Sequence, residues 1–140
     1  MDMVLATKNL DKVKEIKDAF KKLKLRIFTF GDFPDFPCVE EDEDSLYGNA
    51  LKKARTIAKF SRKLSLADDS GLEVEALGGA PGVLSARFAG QEASYEDNNL
   101  KLLSLLQGVS LDKRKATIRC AIAISAVSYT HLTLPTTPYV

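Results

Sequence analysis

Apolar positions along the chain recur in two periods, and the alternation between them predicts an α/β domain. Met3 to Ala6 is an apolar run of strand length, whereas Asp11 to Leu23 spaces Val13, Ile16, Phe20 and Leu23 along one helical face. A strand is expected at Leu25 to Phe30. The segment Gly31 to Asp44 reads as a loop, because it carries Pro34, Pro37 and an unbroken acidic run from Glu40 to Asp44. Ser45 suits the N-cap of a second helix, in which Tyr47, Ala50, Leu51, Ala54, Ile57 and Ala58 recur at helical spacing. Two strands, Leu64 to Ala67 and Leu72 to Leu77, are predicted to flank an Asp68-Asp69-Ser70-Gly71 turn, with the glycine-rich Gly78 to Gly82 loop ending the second. A third helix should start after Ser94 and run to Gln107, leaving Gly108 to take a left-handed terminating conformation. Ala116 to Ala126 is apolar at almost every position after Arg119, as in a central strand covered on both faces. The fold class expected is therefore α/β, a layered mixed sheet with flanking helices.

Composition narrows the function classes. A chain of 140 residues with 28% charged and 45% hydrophobic residues fits one globular domain with a core of its own. Its net charge of +1 gives no overall field for a nucleic-acid polymer or a membrane surface, so any anion site must be local. Two cysteines, Cys38 and Cys120, suit reduced thiols better than a disulfide framework, and their spacing is not that of a metal site. The N-terminus has no signal-peptide pattern and no stretch reaches membrane-spanning length. A soluble cytoplasmic protein is expected.

Two segments carry candidate chemistry. Thr7-Lys8-Asn9-Leu10-Asp11-Lys12 lies where the first strand gives way to the first helix. Backbone N–H groups and the positive helix end can face an anion there, Thr7 and Asn9 can donate hydrogen bonds, and Lys12 adds a mobile positive charge. The same residues also suit a plain helix start capped by Asn9 or Asp11. Asp68-Asp69, set between apolar runs, suggests a cation held by adjacent carboxylates, with one of them free to deprotonate water. An Asx turn would account for the same residues. The run Glu40 to Asp44 offers further oxygen ligands, or a solvated loop favouring the following helix terminus.

The stretch Ala67 to Gly90, Ala-Asp-Asp-Ser-Gly-Leu-Glu-Val-Glu-Ala-Leu-Gly-Gly-Ala-Pro-Gly-Val-Leu-Ser-Ala-Arg-Phe-Ala-Gly, closely resembles the noncanonical purine nucleoside triphosphate pyrophosphatases, the inosine triphosphatase-like family. The resemblance extends to Leu5 through Lys12, to Asn49-Ala50 and Lys53-Ala54-Arg55, and to Arg119-Cys120, covering about Met3 to Ser125. It implies Mg²⁺-dependent hydrolysis of inosine, deoxyinosine and xanthosine triphosphates to monophosphate and pyrophosphate, by a homodimeric α/β protein with a long cleft. Carried over by position, it makes Asp69 the proton acceptor and a magnesium ligand, with Asp68 beside it in the catalytic pair. Thr7, Lys8, Asn9, Leu10, Asp11 and Lys12 become the triphosphate loop, Ser70 a substrate contact, and Glu40 or Glu41 a further metal carboxylate. Arg87 suits either a phosphate contact or a structural ion pair.

The chain departs from the family in two places. Gly48 stands where the resemblance leads one to expect glutamate; with Ser45 as N-cap, position 48 is N3, so glutamate would complete a capping box and offer a carboxylate to the metal. From Val127 the sequence Val-Ser-Tyr-Thr-His-Leu-Thr-Leu-Pro-Thr-Thr-Pro-Tyr-Val does not resemble the family's continuation, whose Phe-Gly-Tyr-Asp and Ser-His-Arg segments help recognise the base. His131, in Thr-His-Leu with no basic neighbour, is no substitute for the family's histidine. The expected organisation is 1–126 as the N-terminal part of a pyrophosphatase domain, the C-terminal part of the fold being absent, and 127–140 as an irregular tail. A phosphate loop without base-recognition segments also fits a non-catalytic nucleotide-binding chain, or an inactive fragment.

Overall fold

The computed structural model describes residues 1–127, so the predicted tail, with His131, lies outside the described residues but for Val127. The described residues form two compact units: 1–43, 47–69 and 121–127 in the first, and 44–46 with 70–120 in the second. A four-stranded sheet has the order β2 (Arg26–Phe28), β1 (Asp2–Leu5), β3 (Leu64–Val74), β4 (Ala116–Ser125). β1 runs parallel to both neighbours, Met3 opposite Ile27 on one side and Leu64 on the other. Parallel pairs require crossover connections, and the helices α1 (Leu10–Phe20) and α2 (Leu46–Ser61) supply them. The α/β class read from the sequence is the one observed.

In the first unit, the face of α1 carrying Val13, Ile16 and Phe20 packs on Met3, Leu5, Leu64 and Leu66, closing one core. α2 buries Ala50, Ala54, Ile57 and Ala58 almost completely. The three alanines on that face allow close packing, and Asn49 and Lys53, one turn apart, are buried along with them. Tyr47, expected on the buried face, is instead exposed. The loop after β2 begins with a 3₁₀ turn, Phe30–Asp32, and is anchored by aromatic packing. The Phe33 ring lies 6.2 Å from those of Phe28 and Phe36 and 5.6 Å from that of Phe60 on α2. Phe33→Ala removes all three contacts and is expected to cost about 2–4 kcal/mol, measurable by urea denaturation.

In the second unit, α3 (Tyr95–Leu105) starts where the sequence places it, with a reciprocal capping box: Ser94 Oγ accepts from the Asp97 N–H (3.1 Å) and Asp97 Oδ2 from the Ser94 N–H (3.0 Å). Asn98 and Lys101 on this helix bond backbone groups of Ala86, Phe88 and Ala89. Gly108 takes the left-handed conformation predicted for it, at φ 81°.

Two strand expectations are corrected. β3 is one continuous strand, not two strands about an Asp68–Gly71 turn, and it ends at Val74 in a 3₁₀ turn, Glu75–Leu77, ahead of the glycine loop. β4 lies at the edge of the described sheet instead of its centre, and within its apolar run Ile122 is 45% exposed, so one face is open there. The strand is covered in its second half, where Ala121 and Ala123 are buried and Ile124 packs on the first core, while Ala116 to Cys120 are exposed.

Candidate active site

Continuity of β3 decides how the two aspartates are used. Side chains alternate along a strand, so Leu64, Leu66 and Asp68 share one face while Ser65, Ala67 and Asp69 share the other. Asp68 accordingly meets α1: its Oδ2 lies 2.8 Å from Lys12 Nζ. Asp69 meets α2, its Oδ1 lying 3.9 Å from Lys53 Nζ. Lys53 also reaches the acidic loop, donating to Glu41 Oε1 at 2.9 Å. The adjacent carboxylates foreseen as one paired turn are thus separated onto two faces, each with a lysine from a different helix.

Glu41 is brought to this cluster by the loop that Phe33 and Phe36 anchor and by Asn49, whose Oδ1 accepts the Glu43 N–H at 3.0 Å. Glu40 is exposed on the same loop. Of the two alternatives, geometry therefore selects Glu41 as the carboxylate beside Asp69. A cavity of about 180 Å³ opens here, lined by Thr7, Lys8, Phe36, Val39, Glu41 and Lys53 among others.

The predicted phosphate loop is partly spent on its own helix. Asn9 caps α1, its Oδ1 accepting from the Asp11 and Lys12 N–H groups at 3.0 and 3.3 Å, and Thr7 Oγ1 accepts the Asn9 N–H at 3.1 Å. Three of the N–H groups expected as anion donors, those of Asn9, Asp11 and Lys12, are thereby satisfied. Thr7 and Lys8 still line the cavity, whereas Leu10 and Asp11 are exposed on the first turn of α1. Ser70, half-buried, opens the second unit, and Arg87 ends the 3₁₀ segment Gly82–Arg87 there.

Electrostatics distinguish these groups. Asp69 is only 7% exposed, and burial pushes its carboxyl above the ordinary value; Lys53 opposes that shift and Glu41 adds to it. Lys12 is held above its usual range: burial acts against its charge, but the bond to Asp68 and the charges of Asp68, Asp69 and Glu41 outweigh it. Asp69 Oδ2 and Asp68 Oδ1 are buried with no hydrogen-bond partner among the described residues. Buried oxygens of this kind are costly unless a cation or donor meets them. Among the described residues, no three His, Cys, Asp or Glu side chains gather into a metal-holding group.

The geometry thus gathers a buried carboxylate from within β3, a second carboxylate from a loop and lysines from two helices. A family model described as the Ham1 family matches residues 3–134, and the chain belongs to that family. It is 54% identical over 125 residues to a dITP/XTP pyrophosphatase of Desulforamulus reducens, with 89% of this chain and 62% of the relative covered. It is 49% identical over 122 residues to one of Geobacter sulfurreducens, covering 87% and 61%. The chain thus spans a little under two thirds of the length of these relatives. Among solved structures, a HAM1 protein from Coxiella burnetii superposes with a TM-score of 0.80 at 35% identity, over 89% of this chain and 62% of the other. The Staphylococcus aureus Ham1 protein gives 0.79 at 33%, over 99% and 68%.

Asn49 and Lys53 hold positions in this cluster that the motifs themselves do not assign. A signal for them existed: two polar side chains four residues apart inside an otherwise apolar helix stripe are out of place unless they serve a buried site.

Proposed function

We propose that this chain carries the phosphate-bond chemistry of a nucleoside triphosphate pyrophosphatase acting on purine triphosphates of the dITP, ITP and XTP type. The observation that carries the reading is the buried Asp69 with its orphaned Oδ2, set beside Glu41 and Lys53. dITP and XTP come from the names of the relatives, and ITP from the family resemblance of the Ala67 to Gly90 motif. In the reaction, a water oxygen bonds to the α-phosphorus, the bridging bond between the α- and β-phosphoryl groups breaks, and the water proton passes to the Asp69 carboxylate. Pyrophosphate and the nucleoside monophosphate leave. A carboxyl raised by burial is a stronger base than an ordinary aspartate and suits that task. Asp68 acts at one remove, holding Lys12 where its charge meets the triphosphate.

The donor set fits Mg²⁺, which takes one or two carboxylates and fills its remaining positions with water and phosphate oxygens. Asp69 and Glu41 would hold it, and when bound it neutralises charge accumulating on the phosphates. Gly48 lies in the first turn of α2, where a glutamate would add a third carboxylate. Gly48→Glu is expected to tighten Mg²⁺ binding in a calorimetric titration and to raise helix stability by up to about 1 kcal/mol; unchanged affinity would remove this position from the metal site.

The same reading takes residues 1–126 as the N-terminal part of the pyrophosphatase domain, in a cytoplasmic homodimer. Among the described residues no helix is long and apolar enough to cross a membrane. The deciding experiment is Mg²⁺-dependent release of pyrophosphate from inosine triphosphate, with Asp69→Asn as control. Nucleotide-dependent thermal stabilisation without release would favour a binding role.

A further inference from the structure

Lys53 is 92% buried, and its ammonium sits 2.9 Å from Glu41 and 3.9 Å from Asp69, the two carboxylates proposed above for a cation. Two acids and one base within that distance form a compact charge group in which the lysine already plays the cation's part. Asn49 fixes the surroundings from the helix side, binding the loop at Glu43 one turn before Lys53. The second oxygen of Asp69 has no partner among the described residues, so the seat is only half satisfied by the ammonium.

We infer that Lys53 is a built-in counter-cation of the Glu41–Asp69 pair, which a divalent metal must displace, and that it thereby keeps the site's affinity for free Mg²⁺ low. It is a positioning residue in this role. Because coupling between two occupants of one seat is reciprocal, what weakens metal binding in the presence of the ammonium must also expel the ammonium when metal binds. The inference rests on the reading of Asp69 and Glu41 as the cation seat.

The test uses the full chain and magnesium chloride alone, read by thermal unfolding. In EDTA, Lys53→Met should melt below wild type, since two carboxylates then face each other without a cation. Its midpoint should recover on Mg²⁺ addition, half-saturating at a concentration about 10-fold or more below that of wild type. Lys53→Arg, which keeps the charge, should retain the weak wild-type response. An unchanged or weaker Mg²⁺ response in Lys53→Met would overturn the inference. Should Lys53→Met not fold, the wild-type protein suffices: acylation of Lys53 by an amine-reactive reagent, followed by peptide mass spectrometry, should speed up when Mg²⁺ replaces EDTA. No change in labelling would count against displacement. Pyrophosphate release is measured separately. If the protein turns over substrate while Lys53→Met binds Mg²⁺ no more tightly, the lysine role falls and the hydrolase reading stands; if Mg²⁺ affects neither melting nor labelling, the cation seat falls and the lysine role with it.

Discussion

Asp69→Asn is expected to stop pyrophosphate release while making the metal-free protein more stable at neutral pH. Loss of a positioned base costs about 10²–10⁴ in rate, and here the same residue is a proposed metal ligand, so the upper end applies. The stability gain follows from burial. The folded-state pKa of Asp69 lies above the unfolded one, so between the two values the folded protein binds more protons than the unfolded chain. Stability therefore falls as pH rises through that window, and the full penalty of the buried charge persists above it. Asparagine is neutral throughout and escapes the penalty, while Lys53 keeps Glu41 as its partner. Thermal melts in EDTA should give the variant the higher midpoint at pH 7, with the gap closing as pH drops below the ordinary carboxylate range. A variant that melts lower at pH 7 would mean that Asp69 is held as a stabilising ion pair, and the general-base assignment would lose its physical basis.

Gly71→Ala is expected to cost about 3 kcal/mol or more, although glycine-to-alanine changes at compatible sites gain about 0.4–1 kcal/mol. A Cβ at this position would stand 2.4 Å from the carbonyl oxygen of Gly82 and 3.0 Å from its carbon, with Leu46 Cδ2 at 3.2 Å. The carbonyl cannot easily withdraw. Ser85 donates its hydroxyl to it at 2.6 Å, and the same Oγ accepts the Leu72 N–H at 2.8 Å, so the loop is tied to β3 just beyond the clash. Gly31→Ala is the control: its Cβ would make only an ordinary 3.7 Å contact with Thr29 Oγ1. Chemical denaturation of the two variants should separate them by most of the Gly71 cost. Near-equal stabilities would show that the close approach between β3 and the 82–87 segment is not tight in solution.

Both positions belong to the Asp68–Gly71 motif, for which local sequence predicts a turn. Aspartate, serine and glycine are turn-forming residues, so local preference is legible there and points the wrong way. Gly71 is needed because another backbone comes within contact distance, a requirement set by a loop eleven residues further on. Asp68 and Asp69 remain in extended conformation because β3 continues through them to Val74.

What the sequence determined by itself was whatever depends on neighbours in the chain. The period of apolar residues placed β1, α1, α2 and α3 to within a few residues; Ser94 marked the start of α3 and Gly108 its end, while the start of α1 stayed open between Asn9 and Asp11 until the structure gave the cap to Asn9. The motif from Ala67 to Gly90 identified the family. Tertiary structure decided what depends on faces and distances. It put Asp68 and Asp69 on opposite sides of one strand, brought Glu41 against a buried Lys53 while Glu40 stays exposed, and set β4 at the edge of the described sheet despite its apolar run. The physical reason is that a carboxylate's charge and a lysine's partner are fixed by burial and by groups distant in sequence. A one-residue change of register on a strand is invisible to composition, yet it reverses the face to which each carboxylate points.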